Sequence, residues 1–118
     1  MIRLGLGSLV ILLGSCHLGV SDIPSVPDNP TFETDVKPLL AQHCLMCHGS
    51  PPDRGAPGGF RLDVYNDVGR VKGAKNKAKD FIGQVNDDSM PPSGLWGDGV
   101  GTNGKALLKK WLANGTPP

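Results

Sequence analysis

The chain has 118 residues, of which 12 are basic and 11 acidic, so its formal net charge is +1. This length accommodates one small domain, and the balanced charge gives no reason to expect nucleic-acid binding. Aromatic residues make up only 5% of the sequence, whereas glycine occurs 17 times and proline 11 times. A core with so few rings, in a chain this rich in loop-forming residues, would gain stability from a cross-link or a large apolar ligand.

Residues 1–15 have the pattern of a bacterial lipoprotein signal peptide. Arg3 precedes an apolar run, residues 4–13, that is shorter than a membrane-spanning helix requires. The run ends in LGSC, residues 13–16, which resembles the lipobox, where the cysteine becomes the lipidated first residue. The alternative is an ordinary signal peptide with an incidental cysteine, although no A-x-A-like cleavage site follows nearby. We therefore expect an exported, periplasmic bacterial protein that is lipid-anchored to a membrane through Cys16.

The segment after the signal, residues 16–30, contains three prolines and no sustained periodicity. It is predicted to form a semi-extended tether that reaches on the order of 40 Å at ~3.1 Å per residue. His17 stands where an aspartate retains many enterobacterial lipoproteins at the inner membrane, and it therefore favours the outer membrane. The remaining residues, 31–118, are predicted to form the functional domain.

The first helix of this domain is predicted to begin at Thr31, a suitable N-cap residue that precedes acidic side chains in the first turn. Pro38 interrupts the pattern, so the helix either starts near Lys37 or kinks there. Four residues spaced three or four apart share one helical face: Val36, Leu39, Leu40 and His43.

The last helix is predicted from GKALLKKWLANG, residues 104–115, in which leucines and Trp111 form an apolar stripe. Gly115 lies where a left-handed C-cap belongs. The chain between the first and last helices is predicted to be mostly loop, with a short turn at 64–69 and a weakly predicted helix at 75–84. No strand pattern is evident, and the predicted class is all-α.

The stretch AQHCLMCHGSPP places Cys44, Cys47 and His48 within one turn of chain. A structural zinc site needs four ligands, and only His17 and His43 are left to complete one. A thioredoxin-like redox pair accompanies a strand-helix-strand pattern that this sequence lacks. Free structural thiols rarely persist in an exported protein. Covalent haem explains all three residues, since C-x-x-C-H attaches the haem through both sulfurs and offers the histidine to the iron.

A second iron ligand is predicted at Met90, in the stretch DDSMPPSG. Pro91 and Pro92 stiffen the backbone beside it and exclude a regular helix. Met46 lies inside the C-x-x-C-H loop and cannot reach the opposite haem face. The alternative role for Met90 is to fill an apolar gap in the core.

Four segments carry a resemblance to a known family: DVKPLLAQHCLMCHG, GGFRLDVYNDV, SMPPSG and LLKKWLANGTP. Together they resemble the class I monohaem cytochrome c domain, especially the c-type cytochrome domains of planctomycetes and myxobacteria. The resemblance covers residues 31–117 and implies a small all-α fold, in which the N- and C-terminal helices cross beside a loop-rich haem pocket. It also implies one haem c, bonded to Cys44 and Cys47, with His48 and Met90 as axial ligands.

The sequence departs from this family at two places. Many class I domains have a glycine where the two helices cross, and residues 31–43 contain none. The glycine-rich segment GLWGDGVGTNG, residues 94–104, has no role that the sequence reveals.

The expected function is that of a membrane-tethered periplasmic electron carrier, not an enzyme, with redox proteins as partners. Phe60, Leu62 and Trp96 are expected to bury the haem, and Arg61 or Lys72 to meet a propionate. The basic run at 70–79 is either a solvated face or a docking patch for an acidic partner. A haem-based gas sensor and an electron-entry subunit of a larger oxidoreductase complex are the alternatives. A dihaem peroxidase is excluded, because the chain has only one C-x-x-C-H.

Overall fold

The computed structural model describes residues 22–44, 48–49, 59–91 and 99–118. These ranges contain a one-turn π-helix, Phe32–Val36, and three α-helices: α1 (Lys37–His43), α2 (Ala74–Asn86) and α3 (Gly101–Ala113). Within these ranges no β-strand forms, and only two isolated bridges join the loops. The predicted all-α class is therefore confirmed for this part of the chain. The signal peptide, Cys16, Cys47 and Trp96 lie outside the described residues.

The first helical segment resolves the conflict that Pro38 raises. A π-helical turn runs to Val36, and α1 then begins at Lys37, so that Pro38 falls in its first turn, where proline is tolerated. Thr31 has the extended backbone of an N-cap residue, but its side chain makes no capping bond. Instead, the Thr31 N–H donates to Asp35 Oδ2 over 2.9 Å. The predicted face is confirmed, because all four of its residues are buried: Val36, Leu39, Leu40 and His43.

The last helix, α3, is longer than its apolar stripe predicts and begins at Gly101. Trp111 is fully buried, and its ring centroid lies 6.1 Å from that of Phe32 in the first helical segment. The Phe32 N–H and Trp111 Nε1 both donate to the Pro117 carbonyl, over 3.0 and 2.9 Å. Gly115 follows the helix with a φ of +85°, as predicted for a left-handed C-cap. These contacts fasten the two ends of the domain together.

Helix α3 has a glycine where it faces the first helical segment, whereas residues 31–43 contain none. Gly104 of α3 faces the first helical segment, and a Cβ on it would lie 3.5 Å from Leu39 Cδ1 and 3.1 Å from Val100 Cβ. The distance to Leu39 is ordinary van der Waals contact, so a methyl group here would crowd only Val100, at the start of the same helix. Gly104 thus lies where the two segments touch, but their approach does not require a glycine there.

Helix α2 is better defined than its weak sequence signal suggests, and it extends beyond the predicted 75–84 at both ends. Its start is held by Asp67, whose Oδ1 accepts the Gly73 N–H over 2.9 Å. The Phe81 ring packs at 6.5 Å from that of Trp111. Five α2 residues are buried against the core: Ala74, Ala78, Phe81, Ile82 and Val85.

Residues 22–30, called the strap below, pack on the domain, although the sequence assigns them to the tether. Ile23 and Val26 lie against the hydrophobic core, and Pro30 is fully buried. Asp22 accepts two backbone N–H bonds from α3, and Lys110 donates to the Pro27 carbonyl over 3.3 Å. Packed structure therefore begins before residue 31.

No helix within the described ranges is long and apolar enough to cross a membrane.

Candidate functional site

The start of the C-x-x-C-H motif continues the geometry of α1. The Cys44 N–H donates to the Leu40 carbonyl over 2.7 Å, and the His48 N–H donates to the Cys44 carbonyl over 2.9 Å. The His48 carbonyl in turn accepts the Leu62 N–H over 2.9 Å. Cys44 and His48 are therefore one helical turn apart, and His48 is joined to the segment that follows Phe60. Cys47 and Met46 lie outside the described residues.

His48 and Met90, which are distant in sequence, line the same cavity. Its volume is about 340 Å³, which lies in the range of ligand pockets, roughly 300–1,000 Å³. Met90 is held at the end of α2, where its N–H donates to the Gln84 carbonyl over 3.1 Å. The cavity is lined by His48, Phe60, Lys77, Asp80, Phe81, Gln84 and Met90.

The His48 ring is a buried imidazole on the wall of the cavity. It stacks on Phe60, with ring centroids 4.6 Å apart and an interplanar angle of 21°. Its Nδ1 is buried and finds no hydrogen-bond partner among the described residues. Burial lowers the pKa of His48, which favours the neutral imidazole. A neutral imidazole is the form that binds a metal ion.

These residues fit a covalently attached haem in donor chemistry and surroundings. His48 offers an imidazole whose buried Nδ1 has no hydrogen-bond partner among the described residues, and Met90 offers a soft thioether on the same cavity. Phe60 and Phe81 contribute apolar walls, and Cys44 stands one turn before His48. Histidine and methionine are the axial pair of c-type haems. No cluster of three or more histidine, cysteine or acidic side chains that could hold a metal ion occurs in the described part of the chain.

The two cations expected at a haem propionate are engaged elsewhere. Arg61 donates to Asp63 through two nitrogens, one of them Nε at 2.9 Å, and this hydrogen bond raises the pKa of Arg61. Lys72 Nζ lies 3.0 Å from Asp67 Oδ2. Both side chains are thus paired with carboxylates rather than directed into the cavity.

Lys77 is the cation that sequence reasoning missed. It lines the cavity, donates to Asp80 over 2.8 Å and places Nζ 5.3 Å from the centroid of the Phe60 ring. The spacing of Lys77, Phe81 and Gln84 would have revealed it, because residues four and three apart share one helical face. That signal can be used only once α2 is known to be a helix, and the sequence predicts α2 only weakly.

Two further candidates, His43 as a ligand and Leu62 as a haem contact, are not among the described residues that line this cavity. His43 is buried in α1, and its pKa is lowered by burial. Leu62 is buried in the main core, 2% exposed, where it contacts other apolar side chains. His17 and Trp96 lie outside the described residues.

Comparisons of the chain with protein-family models, with curated proteins and with solved structures find no match. The helical architecture is shown by the structure itself, whereas the likeness to class I cytochromes c rests on the motifs in the sequence.

Proposed function

We propose that the protein is a membrane-tethered periplasmic electron-transfer protein with the class I cytochrome c fold, carrying one covalent haem c. The observation that carries the proposal is that His48 and Met90 line one cavity. Cys44 lies one turn before His48, where a thioether bond to the same haem is expected. If Met90 only filled a gap in the core, its sharing a cavity with the histidine of the C-x-x-C-H motif would be a coincidence.

Each residue of the site has a distinct role. Cys44 and Cys47 would hold the haem covalently, and His48 and Met90 would occupy the two axial positions of its iron. When bound, the group supplies a one-electron ferric–ferrous couple. The Met90 thioether favours the ferrous state and raises the reduction potential relative to harder ligands. If both His48 and Met90 bind the iron, no ligand position would be left for a substrate, so the protein is proposed to be a carrier and not an enzyme.

The walls of the cavity would control solvent access and charge. Phe60 and Phe81 would limit the access of water to a haem bound there, which would raise its reduction potential, because a low dielectric disfavours the more highly charged ferric state. Phe60 also restrains the His48 ring by stacking on it. Lys77 lines the cavity and could pair with a haem propionate, which would weaken its pair with Asp80.

The partner is proposed to be another redox protein that docks transiently. Two of the five cations in the basic run at 70–79 pair with carboxylates: Lys72 with Asp67, and Lys77 with Asp80. Lys75 Nζ lies 5.6 Å from the centroid of the Tyr65 ring. This favours a solvated face over a strong docking patch. Redox encounters bury little surface and do not need such a patch.

The experiment that tests the proposal is an absorption spectrum of the lipidated protein, purified from membranes with its own signal sequence. A carrier should show covalent haem that resists acid-acetone extraction, a weak sulfur-to-iron band at the red end of the ferric spectrum, and slow binding of carbon monoxide to the ferrous form. Extractable haem, or no haem, would refute the proposal. Covalent haem that binds carbon monoxide rapidly and lacks the red band would replace the carrier with a gas sensor.

A further inference from the structure

Asp22 of the strap holds the first turn of α3. Its carboxylate oxygens accept the Asn103 N–H over 2.8 Å and the Gly104 N–H over 3.0 Å. The bond from Asn103 lowers the pKa of Asp22, so the carboxylate stays ionised, as suits a helix N-terminus. Asn103 also returns a bond from Nδ2 to the Ile23 carbonyl, over 2.8 Å. The strap and the start of α3, about 80 residues apart in sequence, are thus joined by three hydrogen bonds.

Gly101 is the residue that makes this approach feasible. Its φ is +77°, and a Cβ at this position would overlap the Asp22 carboxylate group. Only glycine combines that backbone conformation with an open face. Part of the glycine-rich segment 94–104 therefore serves to admit the Asp22 side chain to the end of α3.

The same turn of α3 lies behind the residues that present Met90. Lys105 Nζ donates to Asp88 Oδ1. A Cβ on Gly99 would lie 3.8 Å from Pro91 Cδ, which shows how closely the two segments pass. A small cavity of about 80 Å³ separates them, lined by Val85, Asp88, Met90, Pro91, Gly99, Val100 and Lys105.

From these contacts we propose that Asp22 is a positioning residue for Met90. By fixing the first turn of α3, it fixes the wall formed by Val100 and Lys105, against which residues 88–91 lie. Loosening that wall gives Met90 room to leave the iron. The inference rests on the proposed function, in which Met90 is the sixth ligand. The proposed role of Asp22 links the strap, which follows the predicted anchor, to the redox site.

The test compares Asp22→Ala with the matched control Asp35→Ala in the full-length, haem-loaded protein. Asp35 also accepts a backbone N–H, from Thr31 over 2.9 Å, but at the start of the first helical segment. In Asp22→Ala, carbon monoxide should bind ferrous iron about fivefold faster, the factor that corresponds to loss of one N-cap side chain. The red band should weaken in parallel. In Asp35→Ala the rate should stay within about twofold of wild type, at a similar loss of stability. Asp22→Asn keeps one acceptor oxygen and loses the other, so its rate should lie between those of wild type and Asp22→Ala.

A second readout does not depend on the haem spectrum. Amide hydrogen exchange of the intact protein should speed up at residues 84–91 as well as at residues 101–105 in Asp22→Ala, and at neither in Asp35→Ala. Equal effects of the two alanine variants on carbon monoxide binding would overturn the inference, as would exchange confined to residues 101–105. If Asp22→Ala cannot be recovered folded, Lys105→Met breaks the next contact in the chain. It should also accelerate carbon monoxide binding, and an unchanged rate would overturn the inference.

Failure of this inference is separable from failure of the proposed function. Wild-type protein without covalent haem or without the red band refutes the function, whatever Asp22 does. Wild-type protein that shows both, with an Asp22→Ala variant that matches it in spectrum and in exchange, refutes only the positioning role.

Discussion

Replacing Gly101 by alanine tests the structural basis of the Asp22 contact. Alanine at this φ of +77° costs about 1–2 kcal/mol of backbone strain. Its Cβ also displaces the Asp22 carboxylate, which removes an N-cap worth about 1 kcal/mol. We therefore expect Gly101→Ala to lower the free energy of unfolding by about 2–3 kcal/mol.

Gly115→Ala is the matched control for this substitution. Gly115 has a similar φ, +85°, but a Cβ on it would meet nothing within 4 Å. Only the backbone strain applies, and the expected loss is about 1–2 kcal/mol. The difference between the two variants isolates the displaced carboxylate.

Guanidinium denaturation, followed by far-ultraviolet circular dichroism of the haem-loaded protein, measures both losses, with unchanged m-values required for the comparison. The double variant Asp22→Ala, Gly101→Ala should be no less stable than Gly101→Ala alone, because the cap is already lost. Fully additive losses would refute the contact. Equal destabilisation by Gly101→Ala and Gly115→Ala would do the same.

Three further predictions concern the haem and the anchor. Met90→Ala should abolish the red sulfur-to-iron band, lower the reduction potential and admit carbon monoxide, whereas Met46→Ala should leave the red band in place; a persistent band in Met90→Ala would show that another residue is the ligand. The Cys44→Ser, Cys47→Ser double variant should carry no haem on a denaturing gel and lose cooperative unfolding, because the cavity walls then face water; a cooperative apoprotein by calorimetry would contradict this. Cys16→Ala should shift the protein from the detergent phase to the aqueous phase or leave its signal uncleaved, and mass spectrometry that finds an unlipidated mature wild-type N-terminus would refute the anchor.

The helices that the sequence predicts best are those whose apolar residues repeat at helical spacing. The faces built on Leu39 and Leu40 in α1 and on Leu108 and Trp111 in α3 are both buried as expected. The sequence signal for α2 is weaker, because the side chain that holds the start of this helix, Asp67, lies outside it and before the Gly73 N-cap. A local pattern cannot reveal a cap that depends on how the preceding loop turns.

The site is predictable where chemistry restricts the candidates, and unpredictable where only packing does. His48 follows from the C-x-x-C-H motif, and Met90 follows by elimination of the other soft donors; the structure places both on one cavity. Lys77 carries no motif and is recognised only once the face of α2 is known. The strap is missed for a different reason. Its short, proline-containing sequence has no periodicity, and its main polar contact pairs Asp22 with Asn103, at the other end of the chain.

The strap changes how far the proposed carrier can stand from its membrane. If the whole segment 16–30 were extended, the domain could sit on the order of 40 Å from the lipid. Because Asp22 is bonded to α3, only the chain from Cys16 to Asp22 is left to span that distance. Whatever its conformation, that stretch reaches at most about 20 Å, at ~3.3–3.6 Å per residue. A lipid anchor at Cys16 would therefore keep Asp22, and the start of α3 to which it is bonded, within about 20 Å of the headgroups.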